Sequence, residues 1–143
     1  MEQSLSKDGD GKVSEVDLRG YSPLTLAFLG DGVYGLYVRS ALVKKGNTQA
    51  RRLHKETSRI VSATAQAAVY DELMNGEMLS DEEREIMRRG CNAHVTHQAK
   101  NASSLDYHKA TGLEALFGYL YLKDETDRVT ELAELGISSR ELT

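Results

Sequence analysis

No segment of this chain alternates apolar and polar residues with a period of two; its apolar residues recur instead at spacings of three and four. That periodicity confines the chain to packed α-helices. Ser22-Pro23 opens the first strong helix, a capping hydroxyl followed by Pro at the first helical position. Its stripe of Leu24, Ala27, Phe28, Asp31, Gly35, Val38 and Leu42 is expected to be buried, and Lys44-Lys45-Gly46 ends it. Further helices are expected at about 48–62, 63–75 (stopped by Gly76), from the capping box Ser80-x-x-Glu83 to Arg89, at 107–123, and at 126–135 before Gly136. Between them, 91–105 is rich in Asn, His, Ser, Thr and Gln and reads as a loop. The fold class is all-α, with residues 1–20 a polar N-terminal arm and 21–143 one domain.

At 143 residues, 40% of them hydrophobic, the chain can bury a core without staples. A lone thiol, Cys91, cannot close an internal disulfide, which points to a cytoplasmic protein. No uninterrupted apolar run approaches the ~20 residues of a membrane span. The N-terminal residues lack the basic and apolar regions of a signal peptide, so no membrane partner is expected.

The net charge of −4 hides a segregation. Residues 39–59 hold seven bases and one acid, and residues 71–85 seven acids and one base. A polyanion senses charge within a Debye length, ~8–10 Å, rather than the sum over the molecule. The basic block can therefore meet nucleic acid, although a solvated helix face has the same composition.

Two acids sit where a core should be. Asp31 shares the first stripe with Leu24, Phe28 and Val38, and Glu114 is flanked by Leu113, Leu116, Phe117 and Leu120. An ionised carboxylate in an apolar setting costs several kcal/mol unless it is paired or binds a cation. Two of them on separate helices can share a divalent metal, Mg²⁺ or Mn²⁺, or each can pair with an arginine. Gly30, Gly32 and Gly35 around Asp31, and Gly112 and Gly118 around Glu114, suit close helix packing or the approach of a ligand.

Other constellations are weaker. Ser6-x-Asp8-x-Asp10-Gly11, continued to Asp17, resembles half of a calcium loop, with Ser and Asp where the strongest ligands should stand. Cys91-x-x-His94-x-x-His97 with His108 matches none of the usual zinc spacings, and these residues suit phosphate or sugar contact equally well. There is no P-loop, dinucleotide fingerprint or serine elbow.

Leu26-Ala27-Phe28-Leu29-Gly30-Asp31-Gly32-Val33-Tyr34 resembles the signature of the ribonuclease III catalytic domain, and Glu114-Ala115-Leu116-Phe117-Gly118-Tyr119-Leu120-Tyr121-Leu122 its second acidic motif. Ser58-Arg59-Ile60-Val61-Ser62-Ala63 and Arg89-Gly90-Cys91-Asn92-Ala93 resemble the short branch of that family, the mini-ribonucleases III, whose members lack a separate double-stranded-RNA-binding domain. The likeness spans about residues 21–136. It implies a homodimeric helical endoribonuclease acting with Mg²⁺ on double-stranded RNA, for the short branch precursor of large-subunit ribosomal RNA. Asp31 and Glu114 take the catalytic and metal-binding positions. Larger relatives carry further acids where this chain has Ala27 and Thr111, and another that falls on Ala68. Arg51, Arg52, His54, Lys55, Arg59, Arg88, Arg89, Asn92 and Lys100 are the candidates for gripping the RNA backbone, and Phe28, Tyr34 and Tyr37 for the dimer contact. Two rivals stand beside this expectation: a catalytically silent RNA-binding or ribosome-associated module of the same fold, and a helical adaptor that docks a protein through its charged blocks.

Overall fold

The computed structural model describes residues 13–93 and 102–141, and every regular element among them is a helix. They run α1 Glu15–Arg19, α2 Pro23–Lys44, α3 Ala50–Val61, α4 Ala63–Asn75, α5 Asp81–Cys91, α6 Ala102–Leu122 and α7 Thr126–Glu141. At the centre lies α6, mostly apolar from Ala110 to Leu120 and enclosed there except at the half-buried Glu114. It packs on α2, α4 and α5, while α3 and α7 close the bundle over α2. Tyr34 of α2 stacks on Phe117 of α6 with ring centroids 4.9 Å apart.

Local chemistry starts and stops the helices as the residues dictate. Ser22 Oγ accepts from the Leu24 N–H (3.1 Å). The Ser80–Glu83 box closes in both directions, Ser80 N–H to Glu83 Oε1 at 2.9 Å and Glu83 N–H to Ser80 Oγ at 3.1 Å. Ser62 caps α4 through the Ala65 N–H (3.1 Å). Gly46 carries the chain out of α2 with φ +139°, and Asp124, with φ 66°, reverses it between α6 and α7.

Three expectations need correction. The buried side of α2 is Leu26, Ala27, Gly30, Val33, Tyr34, Val38 and Leu42, so the stripe is rotated from the one expected and Leu24, Phe28 and Asp31 are exposed. The polar segment after Cys91 becomes helical at Ala102, earlier than its composition suggests. The last helix runs through Gly136 to Glu141, because that glycine lies against Tyr34 and Val69, where a side chain would collide. Within the polar arm, α1 buries Leu18. By length and composition α2 alone among the described helices could cross a membrane; here it is a core helix packed on α6 and α3.

Candidate active site

The closest helix contact in the molecule sets the site. A Cβ built at Gly30 would lie 1.7 Å from the Glu114 carbonyl oxygen, and one at Gly118 2.0 Å from that of Leu26. Only glycine lets α2 and α6 approach so far, and the approach seats Asp31, next to Gly30, beside Glu114. A second glycine pair, Gly90 and Gly112, brings α5 against α6 in the same way. Gly32, by contrast, faces open space.

Asp31 and Glu114 line one cleft of about 400 Å³, with Ala27, Val61, Gln66, Tyr107, Ala110 and Thr111 in its wall. The two carboxylates are unlike. Asp31 is exposed, so the apolar setting expected for it does not exist. Glu114 is half-buried; burial, reinforced by the neighbouring Asp31, pushes its carboxyl up to about 8. Neither acid pairs with an arginine or lysine among the described residues. No group of three metal-ligating His, Cys, Asp or Glu exists among them either. Ala27 and Thr111 do stand in the cleft wall, whereas Ala68 does not line it.

Sequence reasoning missed Gln66. Its Nε2 donates to the Val61 carbonyl (3.0 Å) and to Glu114 Oε2 (3.3 Å). The available signal was its place three residues before Val69 and four before Tyr70, a spacing that puts it on the inner side of α4.

The basic block does not form one surface. Arg51 and Lys55 project from the crown of α3 and are exposed. Arg52 and Arg59 turn toward the end of α7, lining a cavity with Lys45, Glu56 and Glu141. Arg59 is held there by Glu56 (2.9 Å) and donates to the Arg140 carbonyl (3.1 Å). His54 flanks a small apolar cavity with Arg39 and Val43. Arg89 and Asn92 are exposed at the end of α5, where Arg88 pairs with Glu85 at 2.6 Å. Lys100, like His94 and His97, lies outside the described residues, as do residues 6–12 of the calcium-like segment. Asp17 of that segment accepts a hydrogen bond from Ser14 Oγ at 2.7 Å. Within the acidic block Asp71 pairs with Lys109 (2.9 Å), Glu72 with Arg140 (2.5 Å) and the buried Glu83 with Arg128 (2.8 Å), while Glu77, Asp81, Glu82 and Glu85 are exposed. Of the three aromatics expected at a dimer contact, Tyr34 is 1% exposed, Phe28 is exposed, and Tyr37 is half-buried, sharing a hydrogen bond with Thr130 (3.0 Å).

The family described as the Ribonuclease III domain matches residues 24–125, which include both acids, all of α2 but its first residue, α3 to α6 and the glycine contacts between them. The chain belongs to the ribonuclease III family and is an endoribonuclease. Within that family it falls with the short branch. It is 44% identical over 116 residues to the Mini-ribonuclease 3 of Thermoanaerobacter sp. (strain X514), covering 81% of this chain and 80% of that one. To the Mini-ribonuclease 3 of Brevibacillus brevis it is 46% identical over 113 residues, covering 79% and 83%. A crystal structure of a protein from Fusobacterium nucleatum superposes with a TM-score of 0.73 at 29% identity, covering 86% of this chain and 97% of that one.

Proposed function

We propose that this endoribonuclease cleaves double-stranded RNA as a homodimer, with Mg²⁺, or Mn²⁺ in its place, held by Asp31 and Glu114. The observation that carries the reading is the pairing of two carboxylates in one cleft with no base beside them among the described residues. Like charges so placed call for a cation, and a small set of hard oxygen donors suits Mg²⁺ or Mn²⁺. When bound, such an ion makes water more acidic and offsets the charge that grows on a phosphodiester oxygen during attack.

The chain's own residues do the rest. Asp31, exposed at the cleft, and the half-buried Glu114 would supply the two carboxylates that hold the cation. Val61, Ala27 and Ala110 form the apolar part of the wall and limit the water around the reacting phosphate. Arg51, Lys55 and Arg89, with Arg52, His54, Arg59, Arg88, Asn92 and Lys100, grip phosphates and 2′-hydroxyls, because A-form RNA hides its base edges in a deep groove. Products carry 5′-phosphate and 3′-hydroxyl ends. The substrate is precursor of large-subunit ribosomal RNA in the cytoplasm, the reading favoured by membership of the short branch.

Two copies meet through the outer side of α2. Phe28 (84% exposed) and Leu36 (63%) stand in water there. Beside them Leu29, Gly32, Leu36 and Tyr121 line a cavity of about 400 Å³. An apolar face of this kind on a small domain marks an interface.

A long RNA duplex incubated with and without Mg²⁺, followed by end analysis, tests the reading. Cleavage is expected only with the metal, and Asp31→Asn is expected to lower kcat at least ~10²-fold while duplex affinity stays within about threefold. Binding without cleavage by the wild type would favour the silent module instead, and Asp31→Asn cutting at the wild-type rate would remove Asp31 from the site.

A further inference from the structure

Among the polar side chains of the cleft, Gln66 is the one whose type packing does not explain. It is 2% exposed, on the inner side of α4 among Ala67, Val69 and Tyr70. Both neighbours of its Nε2 are acceptors, the Val61 carbonyl at 3.0 Å and Glu114 Oε2 at 3.3 Å, so the amide cannot be turned round. Its Oε1 is buried and has no hydrogen-bond partner. A buried acceptor left unsatisfied is destabilising, and methionine or leucine would fill the same space without it.

We propose that Gln66 is a positioning residue for Glu114: its amide ties one carboxylate oxygen to the α3–α4 junction and leaves the other available to a divalent cation. This rests on the metal reading given above. Glu114 turns about several side-chain bonds, and a fixed donor to Oε2 selects one arrangement of its carboxylate out of many. The donor is itself anchored, since the same Nε2 is held by a backbone carbonyl at the end of α3. Its neutrality matters as well. An ammonium or guanidinium at this place would compete with the cation, and a third carboxylate would repel Glu114. An uncharged N–H favours the ionised form of Glu114 without adding charge to the site. Thr111, also in the wall, turns its hydroxyl to the Tyr107 carbonyl (3.0 Å).

Partners that orient a metal-binding side chain are worth about 10–100-fold in metal affinity or activity. The test measures Mn²⁺ binding to RNA-free protein by electron paramagnetic resonance, beside thermal melting and steady-state cleavage. Gln66→Met keeps the length of the side chain and removes both polar atoms. It is expected to melt within a few degrees of the wild type, to bind Mn²⁺ about 10-fold more weakly or worse, and to lose kcat by about 10-fold with little change in KM. Gln66→Asn keeps an amide too short to span Val61 and Glu114; it is expected to behave alike and serves if the Met variant does not fold. A variant that melts lower but binds Mn²⁺ and turns over as the wild type does would make Gln66 a packing residue and overturn the proposal. Wild type that takes up no Mn²⁺, or Asp31→Asn that takes it up undiminished, would instead overturn the metal reading on which this one rests.

Discussion

Glu114 is held against its own stability. In the unfolded chain its carboxyl titrates near 4.5, whereas in the fold burial and then Asp31 push it up to about 8. A raised carboxyl binds its proton more tightly in the native state, so between those pH values ionisation favours the unfolded chain. The penalty is absent below pH 4.5 and complete above 8. Glu114→Gln is therefore expected to melt like the wild type at pH 4 and to be more stable in metal-free buffer at pH 8, by about 1–3 kcal/mol. Thermal melts across that range check it, and a variant less stable than wild type at pH 8 would contradict it. Asp31 shows the opposite placement. Its acidic character was readable from the chain, but its exposure was not, because a stripe at spacing three and four can be drawn along α2 at more than one angle.

At the scale of elements, α2 and α6 meet backbone to backbone through Gly30 and Gly118. Gly30→Ala places a methyl against the Glu114 carbonyl, which no rotamer can relieve. It is expected to cost about 3 kcal/mol or more and to abolish cleavage, read by urea unfolding and the duplex assay. The turn between α4 and α5 depends instead on charge. Burial pushes the Glu83 carboxyl up, but Arg128 and the Ser80 N–H outweigh it and hold Glu83 below the ordinary carboxylate range. A depressed carboxyl contributes stability that is present above its unfolded pKa and lost as pH falls through the folded one. The gap in Tm between wild type and Glu83→Gln should accordingly be wide at pH 7 and close as pH drops below about 4.5. Caps and the capping box were legible because they act over three or four residues of sequence. The early start of α6 and the continuation of α7 through Gly136 were not, since both follow from what those helices lie against.

For the whole molecule, the proposed dimer rests on the exposed apolar side of α2. Leu36 lies away from the carboxylates, so Leu36→Glu tests the dimer without touching the cleft wall. The variant is expected to sediment as a folded monomer where the wild type sediments as a dimer, in analytical ultracentrifugation at micromolar concentration. A wild-type monomer would retire the interface. The acidic and basic blocks illustrate how far charge counting goes. Three of the seven acids pair with Lys109, Arg128 and Arg140 while Glu77, Asp81, Glu82 and Glu85 stay exposed, and the bases divide between the end of α2 and α3.

Helix periodicity and caps are local properties, fixed by which residues lie three or four apart, and so the all-α class followed from the chain alone, as did the notice drawn to Asp31 and Glu114 by their apolar neighbours in sequence. Which side of α2 faces inward, the meeting of Gly30 with Gly118, and the contact of Gln66 with Glu114 required the assembled bundle. They depend on distances between helices that are 48 to 88 residues apart in sequence, a relation no local pattern encodes.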